Sequence, residues 1–154
     1  LGAEPYFIDA AEHDGLLAAV EQLPAVLAAA LITSTTGSPS WRDMRRVAGS
    51  QYEGSTSFAS QTPSVHSDAC LHNQQNLARW IDNYVQELLQ WKETIVTGDA
   101  ERVQTAFEEA MAARLHWLNL RASGRWEDSD RPETPTRPGF LSSMFGFGGR
   151  SGAT

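Results

Sequence analysis

The chain has 154 residues, of which 41% are hydrophobic, and this suits a single globular domain with its own core. Its formal net charge is −7 and its lysines and arginines are scattered, so it would repel a phosphate backbone and nucleic-acid binding is not expected. No run approaches the roughly 18 consecutive apolar residues of a transmembrane helix, and no secretory signal is visible. Cys70 is the single cysteine, which excludes an intrachain disulfide. A cytoplasmic location is therefore expected.

Residues 1–12 contain a short apolar run, Tyr6-Phe7-Ile8, that predicts an extended segment. We interpret it either as an edge strand or as the last strand of a preceding nucleotide-binding domain; the chain opens without an initiator methionine, so we expect a fragment or a processed chain. The Gly-x-Gly-x-x-Gly pattern of dinucleotide-binding domains is absent from the sequence. The chain is therefore expected to bind no NAD or NADP by itself.

The first helix is predicted from about residue 11 to residue 35. Apolar residues recur there at spacings of three and four, which places them on one helix face. Pro24 lies inside this helix, and a proline removes one backbone donor and clashes with the preceding turn. We expect a kink near Val20–Gln22, which either lines a pocket or only fits the helix to its neighbours.

Turn-forming residues from Thr33 to Pro39 end the first helix, and Ser40 is a plausible N-cap for a short helix over residues 41–48. The polar stretch 49–62 predicts a loop with at most one turn of helix. Pro63 then opens a long helix that is predicted to run to about Thr97, because proline is favoured at the first helical position.

The long helix carries two adjoining apolar lanes, which together are too wide to pack against one partner helix. One lane is expected to face the core of the domain and the other a second copy of the chain. We predict a homodimer whose interface contains the first of these lanes. The first lane contains Leu77, Ile81, Tyr84, Leu88 and Trp91. The second lane contains Trp80, Val85, Leu89 and Val96.

Gly98 is predicted to end the long helix and Asp99 to cap the next one, which runs to about Ala122. So short a connection makes the two helices an antiparallel hairpin. Residues 123–154 form a tail rich in proline, glycine and serine that lacks the composition of a core. Its apolar end, around Phe140 to Phe145, is either a docking or membrane-contact peptide or a segment that stays disordered or folds back.

The sequence offers no recognisable catalytic or metal site. The four histidines form neither a His-Glu-x-x-His pattern nor a cluster with cysteine, and no nucleophile has a base at a diagnostic spacing. No catalytic residue and no metal ligand are therefore predicted in this chain.

A series of short motifs follows the chain. His13-Asp14 is followed by Leu23-Pro24 and an alanine-rich run, and then by Ser38-Pro39-Ser40-Trp41-Arg42. Further motifs are Tyr52 to Ser60, the set Pro63, Asp68 and Asn73, and Gly98-Asp99-Ala100. In this order, they resemble the C-terminal helical domain of prephenate and arogenate dehydrogenases. That family shows His-Asp and then Ser-His-Leu-Pro-His at the first motif, and Ser38 to Arg42 resembles the turn into its second helix.

The resemblance implies an all-α helical bundle with two long antiparallel helices, which serves as a dimerisation domain. It also implies an NAD- or NADP-dependent oxidative decarboxylation in tyrosine biosynthesis, with the cofactor bound by a separate domain. Four family positions for binding the carboxylate substrate are substituted here: Glu21, Gln22 and Ala25 replace Ser, His and His, and Ser57 replaces an arginine. A serine cannot grip a carboxylate through two parallel N–H bonds as arginine does.

The resemblance and these substitutions together leave two possible functions. In the first, residues 13–122 form the dimerisation and substrate domain of a prephenate dehydrogenase-like protein, which is inactive without its nucleotide-binding domain. In the second, the same helices form a non-catalytic dimerisation or ligand-sensing module descended from that family. A small carboxylate ligand is possible in either case.

Overall fold

The structure is a computed structural model, and it describes residues 8–124 and residue 126. All regular elements in these residues are helical, in agreement with the predicted all-α class. The N-terminal run within residues 1–7 and the tail from residue 127 onward lie outside the described residues, and so do the predictions for their conformation. The first helix begins at Ala10, close to the predicted start at about residue 11.

The chain divides into two compact units, Leu1–Gln86 and Glu87–Thr154. The first unit contains α1 (Ala10–Leu17), a π-helical turn (Ala18–Gln22), α2 (Leu23–Thr36), α3 (Trp41–Val47), α4 (Ser50–Thr56), a 3₁₀ turn (Ser57–Ser60), α5 (Pro63–His72) and the first part of α6 (Gln74–Val96). The second unit contains the rest of α6 and α7 (Ala100–Ser123).

The stretch predicted as a loop over residues 49–62 is mostly helical, and that prediction was wrong. Serine and glycine give α4 little intrinsic helix preference, but Tyr52 ties it to its neighbours. The Tyr52 hydroxyl lies 2.6 Å from Oγ1 of Thr35 in α2, and its ring centroid is 6.0 Å from that of Trp41. Tertiary contacts therefore override the local preference.

The helix predicted from Pro63 to Thr97 is interrupted at Asn73, which separates α5 from α6. Asn73 has φ −129° and ψ 33°, outside the helical region. Its side chain is only 8% exposed and is held by residues of the first helical run. The break thus follows from contacts made more than fifty positions away in the sequence.

In the second unit, α6 and α7 form the predicted hairpin. Gly98 has φ 70°, a left-handed conformation that glycine adopts without strain. Asp99 caps α7, because its Oδ1 accepts a hydrogen bond from the backbone N–H of Arg102 at 3.0 Å. The rings of Trp91 and Phe107 pack across the hairpin with centroids 4.8 Å apart.

The helical run Ala10–Thr36 is long and apolar enough to cross a membrane by length and composition. The sequence expectation counted uninterrupted apolar residues, which Glu21 and Gln22 divide, whereas the run as a whole reaches the limit by its mean hydropathy. Four side chains of this run, those of Ala18, Leu23, Ala25 and Ala28, are buried in the chain's own core. We therefore interpret the run as a core helix that also leaves Leu16 and Val20 exposed.

Candidate functional site

The irregularity predicted near Val20–Gln22 takes the form of the π-helical turn Ala18–Gln22, directly before Pro24. The N–H of Leu23 donates to the carbonyl of Ala18, five residues earlier, and Pro24 has no N–H to donate. A single π-helical turn inside an α-helix is frequent at functional sites. The π-helical turn therefore indicates a candidate ligand site.

Side chains from the start of α6 and from the residue before it hold the π-turn and α1 in place. Nδ2 of Asn73 donates to the backbone oxygen of Asp14 at 2.7 Å and to Oε1 of Gln22 at 3.0 Å. The indole N–H of Trp80 donates to the carbonyl of Gly15 at 3.3 Å. In turn, Oδ1 of Asn73 accepts from Nδ2 of Asn76 at 2.9 Å. Asn73 is thus bonded at both ends of its amide.

A cavity of about 250 Å³ lies beside this turn, between α2, the 3₁₀ turn and α5; we call it the π-turn cavity. Three polar side chains, those of Gln22, Gln61 and His66, line it. The other lining residues are apolar, among them Ala25, Ala29 and Phe58, apart from the thiol of Cys70. The cavity is therefore an apolar recess with a few amide and imidazole groups in its wall.

The structure brings two of the four predicted substrate-binding positions to this cavity. Gln22 and Ala25 line it, whereas Glu21 is exposed and is not part of its wall. Ser57 is exposed as well, and its hydroxyl donates to the backbone oxygen of Gly54 at 2.9 Å. The neighbouring Phe58 supplies the wall at that point.

None of the residues that line the π-turn cavity is a lysine or an arginine. His66 is one of the lining residues, and its Nε2 is buried without a hydrogen-bond partner among the described residues. The amide of Gln22 has its oxygen occupied by Asn73, which leaves its NH₂ group as a donor. The wall therefore offers an amide donor from Gln22 and no lysine or arginine.

The described residues contain no group of three or more His, Cys, Asp or Glu side chains that could hold a metal ion. They also contain no strand, so they lack the strand, glycine loop and helix that cradle a dinucleotide.

The lane predicted as the dimer interface divides between the interior and the surface. Leu77 is only 5% exposed and packs in the chain's own core, so within the chain it is a core residue. Ile81, Tyr84 and Trp91 are half-buried, whereas Leu88 is 51% exposed. The second unit leaves further large apolar side chains exposed, namely Leu89, Ile95, Val96, Phe107, Met111 and Leu115.

Glu87 lies on the same stretch of α6. Burial raises the pKa of its carboxyl group above 4.5, and a hydrogen bond with Trp91 acts in the opposite direction. The proton-bound, neutral form is therefore favoured relative to a solvated glutamate.

Comparison with known proteins decides the ancestry. The family model for the prephenate dehydrogenase dimerization domain matches residues 9–109. The chain belongs to this family. The match includes the π-turn, the cavity, α6 and the first part of α7, so the whole π-turn cavity lies within the family domain.

Individual relatives agree with this family assignment. The chain is 27% identical over 126 residues to prephenate dehydrogenase of Bacillus subtilis, a match that covers 80% of this chain and 34% of that protein. The arogenate dehydrogenase of Synechocystis is similar in structure, with a TM-score of 0.71 and 21% identity over 75% of this chain and 43% of that one.

A third relative is the prephenate dehydrogenase of A. aeolicus, solved in complex with hydroxyphenyl propionate and NAD+. Its TM-score is 0.66 with 24% identity, and the match covers 72% of this chain and 39% of that one. The family domain thus accounts for most of this chain, whereas the chain spans only about a third to two fifths of its relatives.

Asn73, His66, Gln61 and Trp80 are among the residues of this site that the sequence does not assign to it. In the sequence, Asn73 belongs only to a family motif, and Trp80 only to an apolar lane. A signal for Asn73 was present, because asparagine in a helix interior competes with the backbone for hydrogen bonds. No local pattern indicates its partners, which lie 51 and 59 positions away.

Proposed function

We propose that this chain is the dimerisation and substrate-side domain of a prephenate dehydrogenase-like oxidoreductase that acts in tyrosine biosynthesis. The single observation that carries the proposal is the family match over residues 9–109. In this proposal, NAD or NADP is bound by a domain outside the present chain, and the protein is cytoplasmic. The 154 residues alone pair with a second copy but oxidise nothing.

Exposed apolar side chains support the pairing. In the second unit, Leu88, Phe107 and Met111 are each more than half exposed. Large exposed apolar side chains cost free energy in water, and their burial against a second copy would recover it. A homodimer is the partner that the family's description as a dimerization domain favours.

The composition of the π-turn cavity favours a second candidate, a non-catalytic dimerisation or ligand-sensing module. A dehydrogenase substrate that carries carboxylates needs a cation such as arginine, and the described lining residues include neither arginine nor lysine. Loss of one buried charged contact typically costs about 2–5 kcal/mol of binding free energy. Such a loss weakens the case for turnover of an acidic substrate while leaving the scaffold intact.

Two measurements separate these candidates. Sedimentation of the 154-residue chain should give a dimer in both cases, and a monomer at high micromolar concentration would contradict both. The protein with its own flanking sequence is then titrated with prephenate or arogenate and NAD or NADP, while absorbance of the reduced cofactor is followed. Turnover supports the dehydrogenase; a dimer without turnover or substrate binding supports the non-catalytic module.

A further inference from the structure

We propose that the π-turn cavity takes a neutral, ring-bearing small molecule with a hydrogen-bond acceptor, in preference to a carboxylate of the same shape. This inference deepens the proposed function, because it rests on the cavity being the ligand side of the domain. It concerns the class of ligand, which the family match leaves open.

The size of the cavity fits one substituted ring. Its volume is about 250 Å³, and an engineered apolar cavity of about 150 Å³ in another protein is known to hold benzene. The apolar part of the wall, which includes Ala25, Ala29 and Phe58, matches the faces of such a ring. The remaining space accommodates a short polar substituent.

The polar part of the wall is arranged to donate. Asn73 donates to Oε1 of Gln22 at 3.0 Å and is itself fixed by the backbone oxygen of Asp14 at 2.7 Å. With its oxygen engaged, Gln22 presents its NH₂ group, which donates to a carbonyl or hydroxyl oxygen. Asn73 is thus a positioning residue that sets which end of the Gln22 amide a ligand meets.

Charge decides between a neutral acceptor and a carboxylate. The described lining residues contain no lysine or arginine. A carboxylate that enters a recess without these side chains loses its hydration and receives mainly amide donors in return. An amide or hydroxyl group in the same place loses much less hydration, so the neutral ligand is favoured.

The test compares two probes of the same shape, 3-phenylpropanamide and 3-phenylpropanoate, against the full 154-residue chain. Binding is measured by calorimetry and by chemical shifts of the side-chain NH₂ of Gln22 and Gln61. We expect the amide to bind at least about tenfold more tightly than the carboxylate, which corresponds to about 1.4 kcal/mol, and to shift the Gln22 resonance.

Matched variants on α2 locate the binding. Ala29 lines the cavity and Ala30 does not, although both are exposed and adjacent on the same helix. Ala29→Leu should abolish amide binding by filling the cavity, whereas Ala30→Leu should leave it unchanged. Ala29→Lys should reverse the preference toward the carboxylate, and Ala30→Lys should not.

Three results would overturn the inference: no binding of the amide, equal or tighter binding of the carboxylate by the parent chain, or amide binding that survives Ala29→Leu. Sedimentation of the same samples keeps this failure separate from failure of the proposed function. A dimer that binds no amide removes the ligand class alone, whereas a monomer removes the proposed dimerisation domain.

Discussion

Asn73 and Gln22 are joined by a hydrogen bond of 3.0 Å between Nδ2 of the first and Oε1 of the second, although 51 positions separate them. The same Nδ2 donates to the backbone oxygen of Asp14. One buried amide therefore connects the break between α5 and α6 to α1 and to the last residue of the π-turn. The local shape of the cavity wall depends on this residue.

Asn73→Ala should lower the free energy of unfolding by about 1–3 kcal/mol, because Oε1 of Gln22 loses a donor and Asn76 loses its acceptor. The measurement is urea unfolding followed by circular dichroism, with the midpoint and slope compared to the parent. Asn83→Ala, at an exposed position of α6, is the control. Equal stabilities of the two variants would show that the Asn73 bonds contribute nothing.

The features that the sequence predicted are those whose cause is local. Asp99 caps α7 through a bond to the N–H three residues later, and Pro24 disturbs the turn that precedes it. The break at Asn73 and the helix α4 were not predicted, because their causes are contacts with Asp14, Gln22 and Thr35, far away in sequence.

The candidate site was predicted only in part, because a local motif does not report how distant residues pack. Family motifs indicated Gln22 and Ala25, which line the cavity. They also indicated Ser57, whose hydroxyl bonds to its own helix, and no sequence pattern reports that orientation. A motif places a residue along the chain, whereas the direction of its side chain depends on the packed structure.

Asp99→Ala should destabilise α7 by about 1 kcal/mol, because the N–H of Arg102 loses its acceptor and the helix N-terminus loses a favourable negative charge. Asp99→Asn keeps an acceptor oxygen and should recover most of the loss. Asp82→Ala, at an exposed position inside α6, serves as the control for removal of a charge. Thermal unfolding of the three variants measures the effect; an Asp99→Ala variant as stable as Asp82→Ala would contradict the capping role.

Glu87→Gln should raise stability near neutral pH. Burial raises the pKa of Glu87 in the folded chain above 4.5, so the folded state binds this proton more tightly than the unfolded state. Stability therefore falls as pH rises from the unfolded pKa through the folded one, and the penalty is complete above both. Glutamine removes the charge and keeps an acceptor for Trp91.

The measurement is the unfolding midpoint at about pH 7 and at about pH 3.5, where the carboxyl group is protonated in both states. The advantage of Glu87→Gln should be present at the higher pH and vanish at the lower one. Glu93→Gln, at an exposed position of α6, is the matched control. An advantage that is the same at both pH values would point to packing instead of charge.

Leu77 and Leu88 should separate folding from dimerisation, although both belong to the lane predicted as the dimer interface. Leu77 is 5% exposed, so Leu77→Ala leaves a cavity in the core and should lower the unfolding free energy by about 2–5 kcal/mol. Leu88 is 51% exposed, so Leu88→Glu should leave helix content unchanged but place a charge in an apolar interface. Sedimentation should then show Leu88→Glu as a monomer at concentrations where the parent is a dimer. A dimer that tolerates this charge would move the interface away from the exposed side of α6 around Leu88.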